Sequence, residues 1–122
     1  MPTIAAFNSA EVHRMTEIAG KSSIVTGGGS GLGRAVALSL AAEGARVVVA
    51  DILEECADAT ADMIRQAGGE AISIACDVSD RTDVQALKSR ANNAFGPIQI
   101  VIPNAGATSF KTMNNISDSE ID

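Results

Sequence analysis

The 122-residue sequence has no tryptophan, no tyrosine and only three phenylalanines, so a chemistry resting on an aromatic hydroxyl has no residue to use. Basic residues are also sparse. Nine Lys and Arg against fifteen Asp and Glu give a formal charge of −6, and clustered cations that neutralise phosphates, the mark of a nucleic-acid partner, are missing. Cys56 and Cys76 stand alone, without CxxC spacing or a His pair, which leaves a metal centre or redox motif unsupported and predicts two buried free thiols. No run approaches the roughly 18 apolar residues that a membrane span needs. The first twenty residues lack the basic start and sustained apolar stretch of a secretory signal. They read as an N-terminal extension, helical from Ser9 to Ala19, on a cytoplasmic protein that engages no membrane.

What is present is a globular balance: 46% hydrophobic and 20% charged residues, in a chain of single-domain length. From Lys21 onward, short β-branched runs alternate with longer helical patterns. "SSIVT" (Ser22–Thr26) ends at a glycine cluster, after which Leu32, Val36 and Leu40 recur at helical spacing up to Gly44. "ARVVVAD" (Ala45–Asp51) is a continuous apolar run, as expected of a strand covered on both faces. Cys56, Thr60, Met63, Ile64 and Ala67 fall on one helical face, closed by Gly68-Gly69. "EAISIACDV" (Glu70–Val78) alternates, placing Ile72, Ile74, Cys76 and Val78 on one side. Ser79 or Asp80 can cap the next helix, whose stripe is Val84, Leu87, Ala91, Ala94 and Phe95. Gly96-Pro97 breaks it, and "IQIVI" (Ile98–Ile102) is a fourth strand. This β-α-β-α-β-α-β order predicts an α/β fold, a doubly wound parallel sheet with helices on both faces. After "PNAGA" the sequence turns polar, and "ISDSEID" resembles the first turn of another helix.

The glycine cluster, "TGGGSGLG" at Thr26–Gly33, lies where a strand passes into a helix. A helix starting there leaves its first N–H groups unpaired, and its dipole puts about half a positive charge at that end, a ready site for pyrophosphate. Gly27 suits the tight exit from the strand, Gly31 lets the backbone approach phosphate oxygens, and Gly33 lets the helix lie close to the sheet. A β-branched residue at Gly31 is expected to abolish nucleotide binding while leaving the fold largely intact. A P-loop is a poor competitor: "GKSS" at Gly20–Ser23 has Met15 in place of the first glycine, and precedes its strand instead of following it. A glycine cluster alone could also be a flexible turn.

Asp51 removes most of that ambiguity. It follows Gly33 by 18 residues, at the carboxyl end of the second strand, where ligands bind in open α/β sheets. A carboxylate there accepts hydrogen bonds from both adenosine ribose hydroxyls and repels a 2′-phosphate, at about 4 kcal/mol for charges ~4 Å apart at an effective dielectric near 20. Neither Ile52 nor Ser30 offers a compensating cation. The expected cofactor is NAD and not NADP.

These residues resemble the short-chain dehydrogenase/reductase family. "TGGGSGLG" fits its T-G-x3-G-x-G signature, Asp51 its acidic residue after strand two, "CDV" its Asp-Val pair after strand three, and "PNAG" its N-N-A-G motif after strand four. The resemblance covers Lys21 to about Gly106. It implies a Rossmann-type three-layer αβα domain over 21–122 with strand order 3-2-1-4. It also implies that Ser30 and Leu32 lie at the cofactor phosphates, Asp51 at the ribose, Asp77 and Val78 at the adenine edge, and Asn104, Ala105 and Gly106 on the floor beside the cofactor. Plainer readings stay open: Asp77 as a cap of the turn after strand three, Val78 as core, Asn104-Ala105-Gly106 as a turn. Pro103 departs from the family's Asn and donates no amide, which puts the end of strand four in question.

The family's reaction is hydride transfer between nicotinamide and an alcohol or ketone. It uses a Tyr acid/base, a Lys four residues on that lowers the Tyr pKa, a Ser, and usually an Asn. The chain has no Tyr, and Lys21, Lys88 and Lys111 stand in no Y-x3-K context. Asn114 and Asn115 sit before the expected helix, and His13 lies in the extension, so neither is expected to replace the missing groups. The expectation is a cofactor-binding N-terminal part of an NAD-dependent oxidoreductase that is inactive alone. Without the remaining half, strand four becomes an edge and apolar helix faces lie bare, which predicts association, as a homo-oligomer, or aggregation. A non-catalytic NAD-binding or interaction protein is the alternative. An S-adenosylmethionine-dependent methyltransferase shares the glycine loop and the acidic residue, but the Asp-Val and N-A-G segments argue against it.

Overall fold

The computed structural model describes residues 18–104. Four parallel strands, β1 (Ser22–Thr26), β2 (Arg46–Asp51), β3 (Ala71–Ala75) and β4 (Ile100–Pro103), alternate with three helices, α1 (Gly31–Ala42), α2 (Glu54–Gln66) and α3 (Arg81–Phe95). The sheet order is β3-β2-β1-β4, as expected. Residues 1–17 of the extension, the polar end of the sequence, Ala105, Gly106, Asn114 and Asn115 lie outside the described residues, and so does His13.

The apolar run of β2 shows why the domain has three layers. Val47 and Val49 point to one face, where they pack with Ala37 of α1 and Ala57, Ala61 and Ile64 of α2. Val48 and Ala50 point to the other, with Ile74 and with Val84, Leu87 and Ala91 of α3. Both faces are covered, so a strand with no polar alternation is the stable choice. β1, the other inner strand, is buried throughout, and its hydroxyls are satisfied locally. Ser22 Oγ donates to Phe95 O at 2.7 Å and Ser23 Oγ to Arg46 O at 2.9 Å.

The structure corrects four details. The buried face of α2 is Ala57, Thr60, Ala61 and Ile64, while Met63 is 40% exposed, Cys56 half-buried and Ala67 exposed. Small alanines let α2 lie close to the sheet, and that closeness excludes the bulkier Met63. In α3 the stripe runs through Val84, Leu87 and Ala91, but Ala94 is exposed. Only Cys76 is a buried thiol. β4 starts at Ile100 because the preceding residues are tied to α3 and β1 by other bonds. Ile98 N–H donates to Asn92 Oδ1 at 3.2 Å, and Gln99 N–H to Ser22 O at 2.9 Å.

Pro103 is accommodated at no cost in hydrogen bonds. It pairs with Thr26, and the next N–H, of Asn104, turns toward β1 to donate to Thr26 Oγ1 at 3.0 Å. By strand alternation the proline nitrogen faces away from β1, where no ladder partner loses a donor.

Candidate functional site

The carboxyl ends of β1, β2 and β4 meet at the glycine turn, and each contributes a group that shapes it. Gly27 leaves β1 with φ of 64°, in the left-handed region that favours glycine. Its carbonyl accepts a hydrogen bond from Asn104 Nδ2 at 3.3 Å, which fastens the turn to the end of β4. Thr26 Oγ1 completes the fastening, accepting from Asn104 N–H and donating to Ile102 O at 3.4 Å. Gly28 N–H donates to Ala50 O at 3.0 Å, carrying the β1–β2 contact one step past the strand.

Gly33 is held tighter than a close-packed helix alone requires. A Cβ there would stand 2.0 Å from Gly27 O and 2.6 Å from Asn104 Nδ2. The helix therefore begins directly against the backbone of the turn. Gly31 differs: its φ is 54°, and a Cβ would meet nothing within 4 Å. It faces open space, the cradle in which an anion would rest.

The first turn of α1 is bare. Ser30 makes no side-chain cap and no acidic residue lies in that turn, whereas α2 begins with Glu54 and Glu55, and α3 is capped by Asp80, which accepts from Thr82 N–H at 2.9 Å and Asp83 N–H at 3.2 Å. The positive end of the α1 dipole is thus left for a ligand. Ser30, Gly31 and the 71%-exposed Leu32 form this open rim.

Asp51 ends β2 and uses each carboxylate oxygen once. Oδ2 accepts from Gly29 N–H at 2.9 Å and Oδ1 from Leu53 N–H at 3.0 Å. The carboxylate is thereby oriented, with lone pairs left for further donors. Beside it, a cavity of about 280 Å³ is lined by Gly27, Asp51, Ile52, Cys76, Asp77, Val78 and Ser79. Five of these are expected site residues; Cys76 and Ser79 are additions.

Asp77 caps its turn, accepting at Oδ1 from Ser79 Oγ at 2.6 Å and Ser79 N–H at 3.0 Å. Those bonds, the hydroxyl first, hold its carboxyl below the usual range, so it is ionised at neutral pH. Val78 is buried with the α3 core. The Cys76 thiol is pushed up to about 11, first by burial and then by the carboxylates of Asp83, Asp77 and Asp80. A raised thiol pKa means that the folded state keeps the proton longer, so this contribution to stability is full below the ordinary 9.0 and is lost as pH rises toward about 11. Iodoacetamide at pH 8 should label half-buried Cys56 and spare Cys76, read by peptide mass mapping. Equal labelling would contradict the burial and charge placed around Cys76.

Two contributors fall outside the fixed positions of the motif, Gly29 and Arg34, and the motif names Thr26 without the role of its hydroxyl. A Cβ at Gly29 would stand 2.6 Å from Cys56 Cβ and 2.8 Å from Asp51 Oδ2. Arg34 turns back from α1, with Nη2 donating to Gly29 O at 2.6 Å and Nε to Thr60 Oγ1 at 2.9 Å. Among the described residues, no group of three or more His, Cys, Asp or Glu could hold a metal ion, and no helix is long and apolar enough to cross a membrane.

The sequence profile described as short chain dehydrogenase matches residues 21–122. Among curated proteins, the 7α-hydroxysteroid dehydrogenase of Escherichia coli K12 is 39% identical over 87 residues, 71% of this chain and 34% of that protein. The hydroxyacyl-CoA dehydrogenase ChsB1 of Mycobacterium tuberculosis is 40% identical over 116 residues, 88% of this chain and 35% of that protein. A solved 7α-hydroxysteroid dehydrogenase complexed with NADH and 7-oxo glycochenodeoxycholic acid superposes with a TM-score of 0.72 at 38% identity, covering 74% of this chain and 35% of that one. The chain thus spans about a third of the length of the relatives it matches. Rossmann architecture, strand order and a glycine turn under a bare helix agree with these likenesses, and the chain belongs to the short-chain dehydrogenase/reductase family of oxidoreductases.

Proposed function

We propose that this chain is the cofactor-binding part of an NAD-dependent alcohol dehydrogenase or ketone reductase. The observation that carries the reading is the oriented Asp51 carboxylate between the bare α1 N-terminus and the neighbouring cavity. Ser30, Gly31 and Leu32 would hold the pyrophosphate, with Gly27 and Gly33 shaping the turn beneath it. Asp51 would accept the ribose hydroxyls, with Ile52 beside it. Asp77 and Val78 would border the adenine, and Asn104, Ala105 and Gly106 the floor. When bound, the dinucleotide supplies or accepts a hydride at its nicotinamide ring. The preference for NAD over NADP rests on Asp51 and on the lack of a cation at Ser30 or Ile52, while Arg34 is turned toward Gly29 and Thr60.

The chain has no tyrosine to serve as the family's acid/base, so turnover of an alcohol or ketone would draw that group from elsewhere. Calorimetric titration of the chain with NAD, NADP and S-adenosylmethionine tests the cofactor. NAD is expected to bind at least about tenfold more tightly than NADP, from repulsion of one extra phosphate near Asp51. Equal or tighter NADP binding would overturn the preference, and binding of S-adenosylmethionine alone would overturn the dehydrogenase reading. Alcohol-dependent NADH formation by the isolated chain would refute its lack of turnover.

A further inference from the structure

We infer that Arg34 is a positioning residue that acts through Gly29 on Asp51, and that it sets how sharply the chain distinguishes NAD from its 2′-phosphorylated form. The inference rests on the NAD reading above. Arg34 belongs to the first helical turn after the glycines, where a long cation would ordinarily extend into water. Instead it is half-buried and folded back over the turn. Its Nη2 holds the Gly29 carbonyl at 2.6 Å, and its Nε holds the fully buried Thr60 hydroxyl of α2 at 2.9 Å.

Gly29 is therefore gripped at both of its polar groups by opposite charges. Its carbonyl is held by the guanidinium, and its N–H by Asp51 Oδ2 at 2.9 Å. The grip is also steric, because Gly29 lies so close to Cys56 and Asp51 that a Cβ would overlap both. The planar guanidinium fork suits two acceptors at fixed positions, which a single ammonium cannot match. Asp51 in turn depends on Gly29. Rotation of its carboxylate is restrained by the Gly29 and Leu53 N–H groups, and the lone pairs left over are those that a ribose diol would meet.

Loss of Arg34 frees the Gly29 carbonyl and lets the Gly29–Ser30 peptide turn, and the change in the backbone torsions of Gly29 loosens the N–H that holds Oδ2. The cost then falls mainly on the ribose contact, because Gly31 and Leu32, which would also meet the pyrophosphate, lie beyond that peptide. A tie that only joined α1 to α2 would weaken every ligand alike, and the ratio of two affinities separates these cases.

The test is calorimetric titration of the full chain and its Arg34→Ala, Arg34→Lys and Arg65→Ala variants with NAD and NADP. Arg65→Ala is the control, since Arg65 Nη1 makes a comparable bond to Ala71 O at 2.6 Å away from the glycine turn. Arg34→Ala should weaken NAD about tenfold and NADP by no more than about twofold, the scale of losing one charge-assisted hydrogen bond. Arg34→Lys should recover part of the NAD affinity, and Arg65→Ala should leave the ratio unchanged. If Arg34→Ala does not fold, by circular dichroism, Arg34→Lys carries the test through a smaller narrowing of the ratio, about threefold. Unchanged NAD affinity, or equal weakening toward both nucleotides, would overturn the role of Arg34 while leaving the NAD reading intact. A parent chain that fails to prefer NAD would overturn the reading and the inference together.

Discussion

Gly33→Ala is expected to abolish measurable NAD binding and to lower stability by about 3 kcal/mol, the upper end for an overpacked site, because it cannot relax through a side chain. The methyl group would stand 2.0 Å from Gly27 O and 2.7 Å from Gly27 C, so the obstacle is backbone on both sides. Relief requires α1 to move off the turn or the turn to open. The first displaces the N–H groups that would meet the pyrophosphate. The second breaks the bond from Asn104 Nδ2 to Gly27 O and with it the fastening to β4. Urea unfolding and titration with NAD read both effects, and NAD affinity within about threefold of the parent protein would sink this account of Gly33. Gly31→Ala provides the contrast. Its methyl group meets open space, and the fold pays only for a left-handed backbone, about 1–2 kcal/mol. The two glycines of one motif thus stand in different surroundings: Gly33 keeps protein out of the way of protein, and Gly31 faces open space, where the proposed pyrophosphate would rest.

How legible each part was depends on the physical signal available. β2 was legible almost to the residue because a continuous apolar run between turn-forming residues leaves few alternatives, and β1 because its short β-branched run ends at the glycine cluster. The sheet order followed from motif resemblance and crossover rules. The buried face of α2 was not legible, since Cys56–Thr60–Met63 and Ala57–Thr60–Ala61–Ile64 are overlapping helical sets, and closeness to the sheet decides between them. Small side chains won that contest. The start of β4 was misplaced because Ile98 is apolar and packs against the core, although its N–H goes to Asn92 instead of a strand. At the site, the motif marks which residues gather but not what each does in the unliganded protein. Asn104 was expected as floor beside the cofactor, and in the fold its amide also secures Gly27. Arg34 and Thr60 lie 26 positions apart, and neither carries a local sign of the bond between them. Long-range polar contacts of this kind have no periodicity to betray them.

Asp51→Ala is expected to weaken NAD binding about a hundredfold, to erase the preference over NADP, and to destabilise the fold by about 1–3 kcal/mol. The three effects have separate origins. The stability loss comes from two backbone N–H groups, of Gly29 and Leu53, that lose their acceptor at the end of β2. The affinity loss comes from the ribose hydroxyls, which would exchange a charged acceptor for water. Preference is erased because the same deletion removes the repulsion of a 2′-phosphate, so NADP loses the ribose contact but gains relief from like charge. Asp51→Asn is the sharper variant. Its amide has nearly the parent shape, yet one end is now a donor that must face either Gly29 N–H or Leu53 N–H, donor against donor. It should therefore be nearly as destabilised as Asp51→Ala, although only an oxygen has become a nitrogen. Urea midpoints and paired titrations with NAD and NADP distinguish the contributions. An Asp51→Ala protein with the parent ratio of affinities would show that the carboxylate serves only its own backbone, and the choice between the two nucleotides would then have to lie in other residues of the turn.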